Sequence, residues 1–531
     1  MKKNLLIALL PLFIIALVPV LFAVCSRNSS SEVITGDTDD VLVIYTPHPE
    51  SIRREVGSAF CRYYLEKTGR SIKLDYRSPG GTTDIVNYIN DRYTAAFKRM
   101  WEEAGYEWSD AVAEGFRSNS PLLTGEQRQA REMFMASDIS IDADLFWGGG
   151  TYDHGKNKSA GFAVDGGIAE LHPEYFAPEA MKQEISGETV YDQDGCFYGV
   201  CLSSFGICCN RDRLAEAGLS APGRWSDLAK PEFFNKTAVA DPTKSGSVAK
   251  CYELIIQQAM ADSIAAGGTL SDGWRNGMDI VRRITANASF VSDSASMAVN
   301  YVASGEAVCG IGIDFYVTGA ADWQEMQGAE PPPLFYVTPY RGSTVSADPI
   351  QMLRGAPSRE AAQEFISFLL SLQGQKIYAF KTGVPGGPEG SALRRAPVRL
   401  ELYGEEWREY RSDPDYDPVT AAKDVVYHYD WSGKYFGLIR VVIRCTMLDI
   451  QPELRAAWLA IIEAGGPEAV PEAMEVFSRL PFEYEDADAA AALLSVSPGN
   501  DITKITALRR YWTVVARENC QLAAKMAAEG R

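Results

Sequence analysis

Val41-Leu42-Val43-Ile44-Tyr45-Thr46-Pro47-His48-Pro49-Glu50 begins the patterned part of the chain. An apolar run ends in a polar loop, and the loop enters a helix at Pro49 and Glu50. This pattern predicts a buried strand that carries a loop to the mouth of a sheet. In open α/β sheets, ligands bind beyond the carboxyl ends of the strands. Tyr45, Thr46 and His48 are therefore the first candidate ligand contacts.

The same pattern recurs along the chain. Ile72–Tyr76 alternates as a strand and runs through Ser78-Pro79-Gly80-Gly81-Thr82-Thr83-Asp84 into a helix. Gly81 allows close backbone approach, and Thr82 or Thr83 can cap the helix while offering a hydroxyl outward. A mainly helical stretch, 92–135, is expected to cover one side of the sheet. The alternating segment Asp138–Asp144 leads through Leu145-Phe146 to Trp147-Gly148-Gly149-Gly150, an aromatic and glycines at a strand end that suit a cleft wall. Val239-Ala240-Asp241 delivers Ser245, Gly246 and Ser247 to another helix start, again a geometry that favours an anion. Ser292-Asp293-Ser294-Ala295 opens a further helix, and Val308–Ile313 delivers Asp314-Phe315-Tyr316. Repeated glycine-rich or polar loops in α/β context predict two sheets facing one cleft.

At 531 residues the chain is too long for one core, so two or more domains are expected. Its net charge of -19 disfavours nucleic acid as a partner while leaving room for a locally favourable anion site. Lys2 and Lys3 precede an apolar run and Leu21-Phe22-Ala23-Val24-Cys25. Residues 1–25 are read as a lipoprotein signal peptide with Cys25 as the lipidated residue, and 26–40 as a flexible polar tether. An uncleaved apolar anchor is the alternative, and both readings export the rest. Of the ten cysteines, Cys196, Cys201, Cys208 and Cys209 cluster without a CxxC pair or nearby histidine, so they read as strand filler with at most one disulfide rather than as a zinc site. His154, His172 and His428 show no metal spacing, and no catalytic constellation can be assembled.

Taken in order, YTPHPE, GGTTDIV, DLFWGGG, GVCLSSFGICCN, WSDLAKPEFF, ADPTKSGS, GIGIDFY and Phe380-Lys381-Thr382-Gly383-Val384-Pro385 resemble the extracellular solute-binding proteins of ABC importers. The nearest branch is the one that contains ferric-iron-binding proteins and relatives for phosphorylated solutes. The resemblance implies an α/β, two-lobed type II periplasmic-binding-protein-like fold. Lobe 1 would be 41–203 and 335–400, and lobe 2 would be 204–334, with the passage between them near Ser203–Gly206, Ser203 among the ligand contacts, and Leu353–Leu372 as a helix of lobe 1. It implies a small-molecule ligand in the cleft, hinge closure, delivery to the membrane permease subunits, a monomer held to the membrane by its lipid, no cofactor and no enzymatic activity. Iron-binding relatives use two adjacent tyrosines; here the pair falls at Phe315-Tyr316, so one phenolate is missing. An anionic or phosphorylated organic solute is the preferred ligand, with no metal. If iron were bound, His48 and Tyr316 would hold it. Residues 401–531 are expected to be a mainly helical C-terminal extension capping the lobes. An exported surface lipoprotein that has lost its ligand is the remaining alternative.

Overall fold

A computed structural model describes residues 38–494 and 502–531. The expected signal peptide, Cys25 and most of the tether lie outside the described residues. Strand Asp40–Tyr45 forms as the apolar run predicts. It pairs in parallel with Ile72–Arg77 on one side and Leu145–Trp147 on the other. Val345–Leu353 lies antiparallel beside Leu145–Trp147, and Tyr198–Asn210 lies antiparallel beside it. These strands form the sheet of lobe 1. Only Leu145–Trp147 of the third predicted strand is extended in a ladder; the alternation before it, Asp138–Asp144, is irregular.

Tyr198–Asn210 is one continuous strand, and all 13 of its residues are buried. Its first half pairs with Val345–Ile350 in lobe 1. Its second half, from Phe205, pairs antiparallel with Cys309–Ile313. The parallel strands Thr237–Ala240 and Ala288–Ser292 continue that second sheet. Leu334–Val337 pairs with Ile207–Asn210, on lobe 2. The chain therefore returns to lobe 1 between Val337 and Val345, and not at residue 335. The lobe 1 helix expected over 353–372 starts later, at Arg359, because Leu353 is still part of the strand.

Residues past 400 fall into two parts. The first stays with lobe 1, where Leu402 packs on Phe380 and Ala422 joins the lobe 1 core. The second runs as helices Phe436–Ile443, Gln451–Glu463, Pro471–Phe477, Ala487–Leu494 and Ile502–Ala528. Its apolar residues, Leu438, Trp458, Phe477 and Trp512 among them, share one core with lobe 2. This explains helix Gly246–Ala265, which is buried all round from Val248 to Met260 and so presents no face to solvent there. Every cysteine of the described residues is a free thiol, and among those residues no group of His, Cys, Asp and Glu is arranged to hold a metal ion. Cys209 and Cys309 face each other across adjacent strands, 3.5 Å apart. Among the described residues no helix is long and apolar enough to cross a membrane.

Helix Leu270–Asn287 lies tight against helix Gly246–Ala265 through Gly273 and Gly277, four residues apart on one face. A Cβ at Gly277 would stand 2.5 Å from Ile256 Cα, and one at Gly273 would strike Met260 backbone. Gly277→Ala should therefore push the helices apart and lower unfolding free energy by about 1–3 kcal/mol despite alanine's better helix propensity. Urea denaturation checks the sign: a gain in stability would show that the two helices are not closely packed.

Candidate functional site

A cleft of about 1390 Å³ lies between the lobes. Its walls follow from strand direction. Parallel strands point their carboxyl ends at the cleft, so the helices that follow them begin there. From lobe 1 come the starts of Thr82–Glu103 and Thr151–Ala160, and from lobe 2 those of Gly246–Ala265 and Ala295–Ala303. Free N–H groups and the positive ends of the helix dipoles thus face the cleft from both sides.

The cleft floor is ionic. Asp348 Oδ2 accepts from His48 Nε2 at 2.9 Å and from Arg395 Nη2 at 2.7 Å. With Nε2 donating, His48 Nδ1 is left to accept from the Thr46 hydroxyl at 2.8 Å. The His48 ring lies 4.4 Å from the Trp147 ring, and Arg395 lies 4.1 Å over Phe315. Burial works against the Asp348 carboxylate, but His48 and Arg395 outweigh it and hold its carboxyl well below the ordinary range. Three polar atoms on this floor are buried without a protein partner: Asp348 Oδ1, Arg395 Nε and Ser203 Oγ. Each is enclosed by protein with its hydrogen-bonding capacity unused.

Of the residues singled out from the sequence, His48, Gly81, Thr82, Gly149, Ser203, Ser245, Gly246, Ser247 and Tyr316 line the cleft. The others do not. Tyr45 turns into the lobe 1 core against Tyr88, because its position on the strand faces the helical cover. Thr46 is wholly buried and orients His48. Thr83 gives its hydroxyl oxygen to Arg440 of the extension. Trp147 packs beneath His48 and Phe365. Gly148 bonds through its carbonyl to His154 Nε2 at 2.9 Å; with φ at 102°, a Cβ there would meet His48 Cε1 at 2.6 Å. Asp314 lies behind the cleft, where Ser204 donates to it from its backbone N–H at 2.7 Å and its hydroxyl at 3.1 Å. Burial pushes the Asp314 carboxyl up to about 6.

The sequence reading missed Asp348, Arg395, Glu188 and Lys250. Asp348 left a trace as the one charge in Ala347-Asp348-Pro349-Ile350. Arg395 left none. Lys250 of lobe 2 bonds Glu188 from the lobe 1 side and its own helix neighbour Glu253, both at 2.7 Å. Tyr427 of the extension covers it, with the ammonium 3.6 Å from the ring centre. Glu253 also accepts from Ser432 at 2.7 Å, and the Tyr427 N–H reaches Ser186 O at 2.7 Å. The lobes and the extension are thus clasped around one buried ammonium.

Residues 143–399 match the family model of bacterial extracellular solute-binding proteins, a family of binding proteins and not of enzymes. The resemblance seen in the motifs holds. A protein named phosphoglycerate transport regulatory protein PgtC, from Salmonella typhimurium, is 27% identical over 214 residues, 40% of this chain and 48% of that one. An uncharacterized protein of Haemophilus influenzae is 24% identical over 240 residues, 45% of this chain and 61% of that one. The chain spans about half the length of the curated relatives it matches first. Similar solved structures include the periplasmic binding protein AfuA of Actinobacillus pleuropneumoniae with fructose-6-phosphate bound, at TM-score 0.47 and 18% identity over 80% of this chain and 99% of that one. Iron-bound HitA of Pseudomonas aeruginosa gives TM-score 0.48 and 16% identity over 75% and 98%.

Removing the clasped ammonium leaves two buried carboxylates facing each other. Lys250→Met should cost about 3–5 kcal/mol in chemical denaturation, against far less for Lys244→Met on the exposed Asp293 pair. Equal costs would show that the clasp is not a buried pair. For Asp314 the folded carboxyl is raised above its ordinary value of 3.8, to about 6. Its contribution to stability is therefore complete below pH about 4 and lost as pH rises through about 6. Asp314→Asn should flatten stability between those values, as read from melting at stepped pH; an unchanged slope would assign the dependence elsewhere.

Proposed function

We propose that the protein is the solute-binding component of an ABC importer and that it captures a hydroxylated organic anion, such as a phosphate ester, between its lobes. The observation that carries this reading is the convergence of helix starts from both lobes on one cleft. Helix N-termini favour an anionic group. Asp348 lines the cleft and, being ionised, can only accept, so a ligand that reaches it needs a donor such as a hydroxyl. The name of the PgtC relative, which refers to phosphoglycerate transport, points to the same chemistry. In this reading the family match supports export, Cys25 anchors a monomer by its lipid, and the permease accepts the loaded form.

Ferric iron is disfavoured by the geometry. Both ring nitrogens of His48 are engaged by Thr46 and Asp348, and Phe315 offers no phenolate beside Tyr316. Burial also raises the Tyr316 phenol, which opposes phenolate formation.

Melting of the purified chain with phosphate esters, dicarboxylates and ferric citrate tests the proposal. A rise of several degrees with a hydroxylated anion is expected. Ser203→Ala should weaken that ligand roughly three- to tenfold without shifting the unliganded melting point. A rise with ferric citrate alone, accompanied by a visible phenolate-to-iron band, would replace the organic anion by iron.

A further inference from the structure

We propose that residues 425–436 of the extension form a third wall of the cleft and select anions whose body carries a ring over small anions such as inorganic phosphate. The inference rests on the anion-binding reading above and names the part of the ligand that the helix starts do not touch. Tyr427, Tyr429 and Phe436 all reach the cleft from this segment. Across from them stands Tyr152 of lobe 1, its ring 4.9 Å from that of Phe436. Tyr429 is 56% exposed, an aromatic face left uncovered at the cleft by the protein itself.

The wall is anchored on both sides. Tyr427 bonds Ser186 on the lobe 1 side, and the backbone of His428 exchanges hydrogen bonds with Gln257 of lobe 2 at 2.8 and 3.2 Å. Arg440, just beyond Phe436, donates to Pro242 O at 2.6 Å and to Thr83. The backbone that carries these rings is thus held before any ligand arrives, which limits the entropy that a ring stacking on them would cost. Size agrees: pockets for organic ligands run from about 300 to 1,000 Å³, and a cleft of about 1390 Å³ far exceeds what one phosphate fills.

Calorimetric titration of the full chain with inorganic phosphate, glucose 6-phosphate and uridine 5′-monophosphate tests this. At least one ring-bearing ester should bind about tenfold tighter than inorganic phosphate. Tyr429→Ala should erode that advantage roughly three- to tenfold and leave inorganic phosphate unchanged. Tyr429→Phe should keep the advantage, and Phe436→Leu should reduce it. Inorganic phosphate binding as tightly as both esters, or a Tyr429→Ala variant that binds every probe like the parent, overturns the third wall while the anion site stands. No binding of any of the three overturns the anion reading and this inference with it.

Discussion

Both lobes hang on one strand. Tyr198–Asn210 exchanges ladder hydrogen bonds with Val345–Ile350 on the lobe 1 side and with Cys309–Ile313 on the lobe 2 side, and all of its residues are buried. A strand buried on both faces and paired on both edges cannot slip by one residue without moving every side chain to the wrong face. That constraint fixes where Ser203 stands. It also places Ser204 where its N–H and hydroxyl meet Asp314. The change of sheets falls between Ser204 and Phe205, so the cleft floor lies at the pivot itself.

The floor's electrostatics then decide what kind of group it suits. Arg395 and His48 share a single carboxylate oxygen, so much of the Arg395 charge is already spent on Asp348. An anion in this cleft would draw on oriented backbone N–H groups of several helix starts more than on a free cation. Such a site is preorganised: its dipoles belong to helices of 20 and 22 residues, among others, and do not have to turn toward the ligand. The overall charge of -19 does not oppose this, since the dipoles act at contact while the surface field is screened within about 8 Å at physiological salt.

Much of this was legible in the sequence, and for identifiable reasons. Strand followed by polar loop followed by helix start is a local pattern, so Gly81, Thr82 and Ser245–Ser247 could be found from spacing alone. Which side of a strand end faces the cleft is not local. Tyr45 and Asp314 carry suitable chemistry and sit at strand ends, yet the sheet twist and the helices laid over it turn them inward. Asp348 and Arg395 come from a returning strand and an irregular segment 47 residues apart in sequence, joined only by the fold. The Lys250–Glu253 spacing marked a helical pair, but nothing near it in sequence signalled that Glu188 and Tyr427 would close around it.

The clasp bears on how such a molecule can open. Lys250 and Glu253 ride on the same helix, whereas Glu188 belongs to the lobe 1 side. Of the two ion pairs of Lys250, separating the lobes would break the one with Glu188 and keep the one with Glu253. The ammonium would keep one carboxylate, and Glu188, whose carboxyl is raised by burial, would regain water. The cost of opening is therefore smaller than that of splitting an isolated buried pair, because the freed charge is hydrated as it leaves. Tyr427 and Arg440 set the other side of the balance, since each ties the extension to lobe 1 while the helices behind them share the lobe 2 core. A solute can bias this equilibrium only by its difference in affinity for the two arrangements. For an anion of the kind proposed, the helix starts would supply that difference, since both lobes could reach it together only while the clasp holds them at this distance.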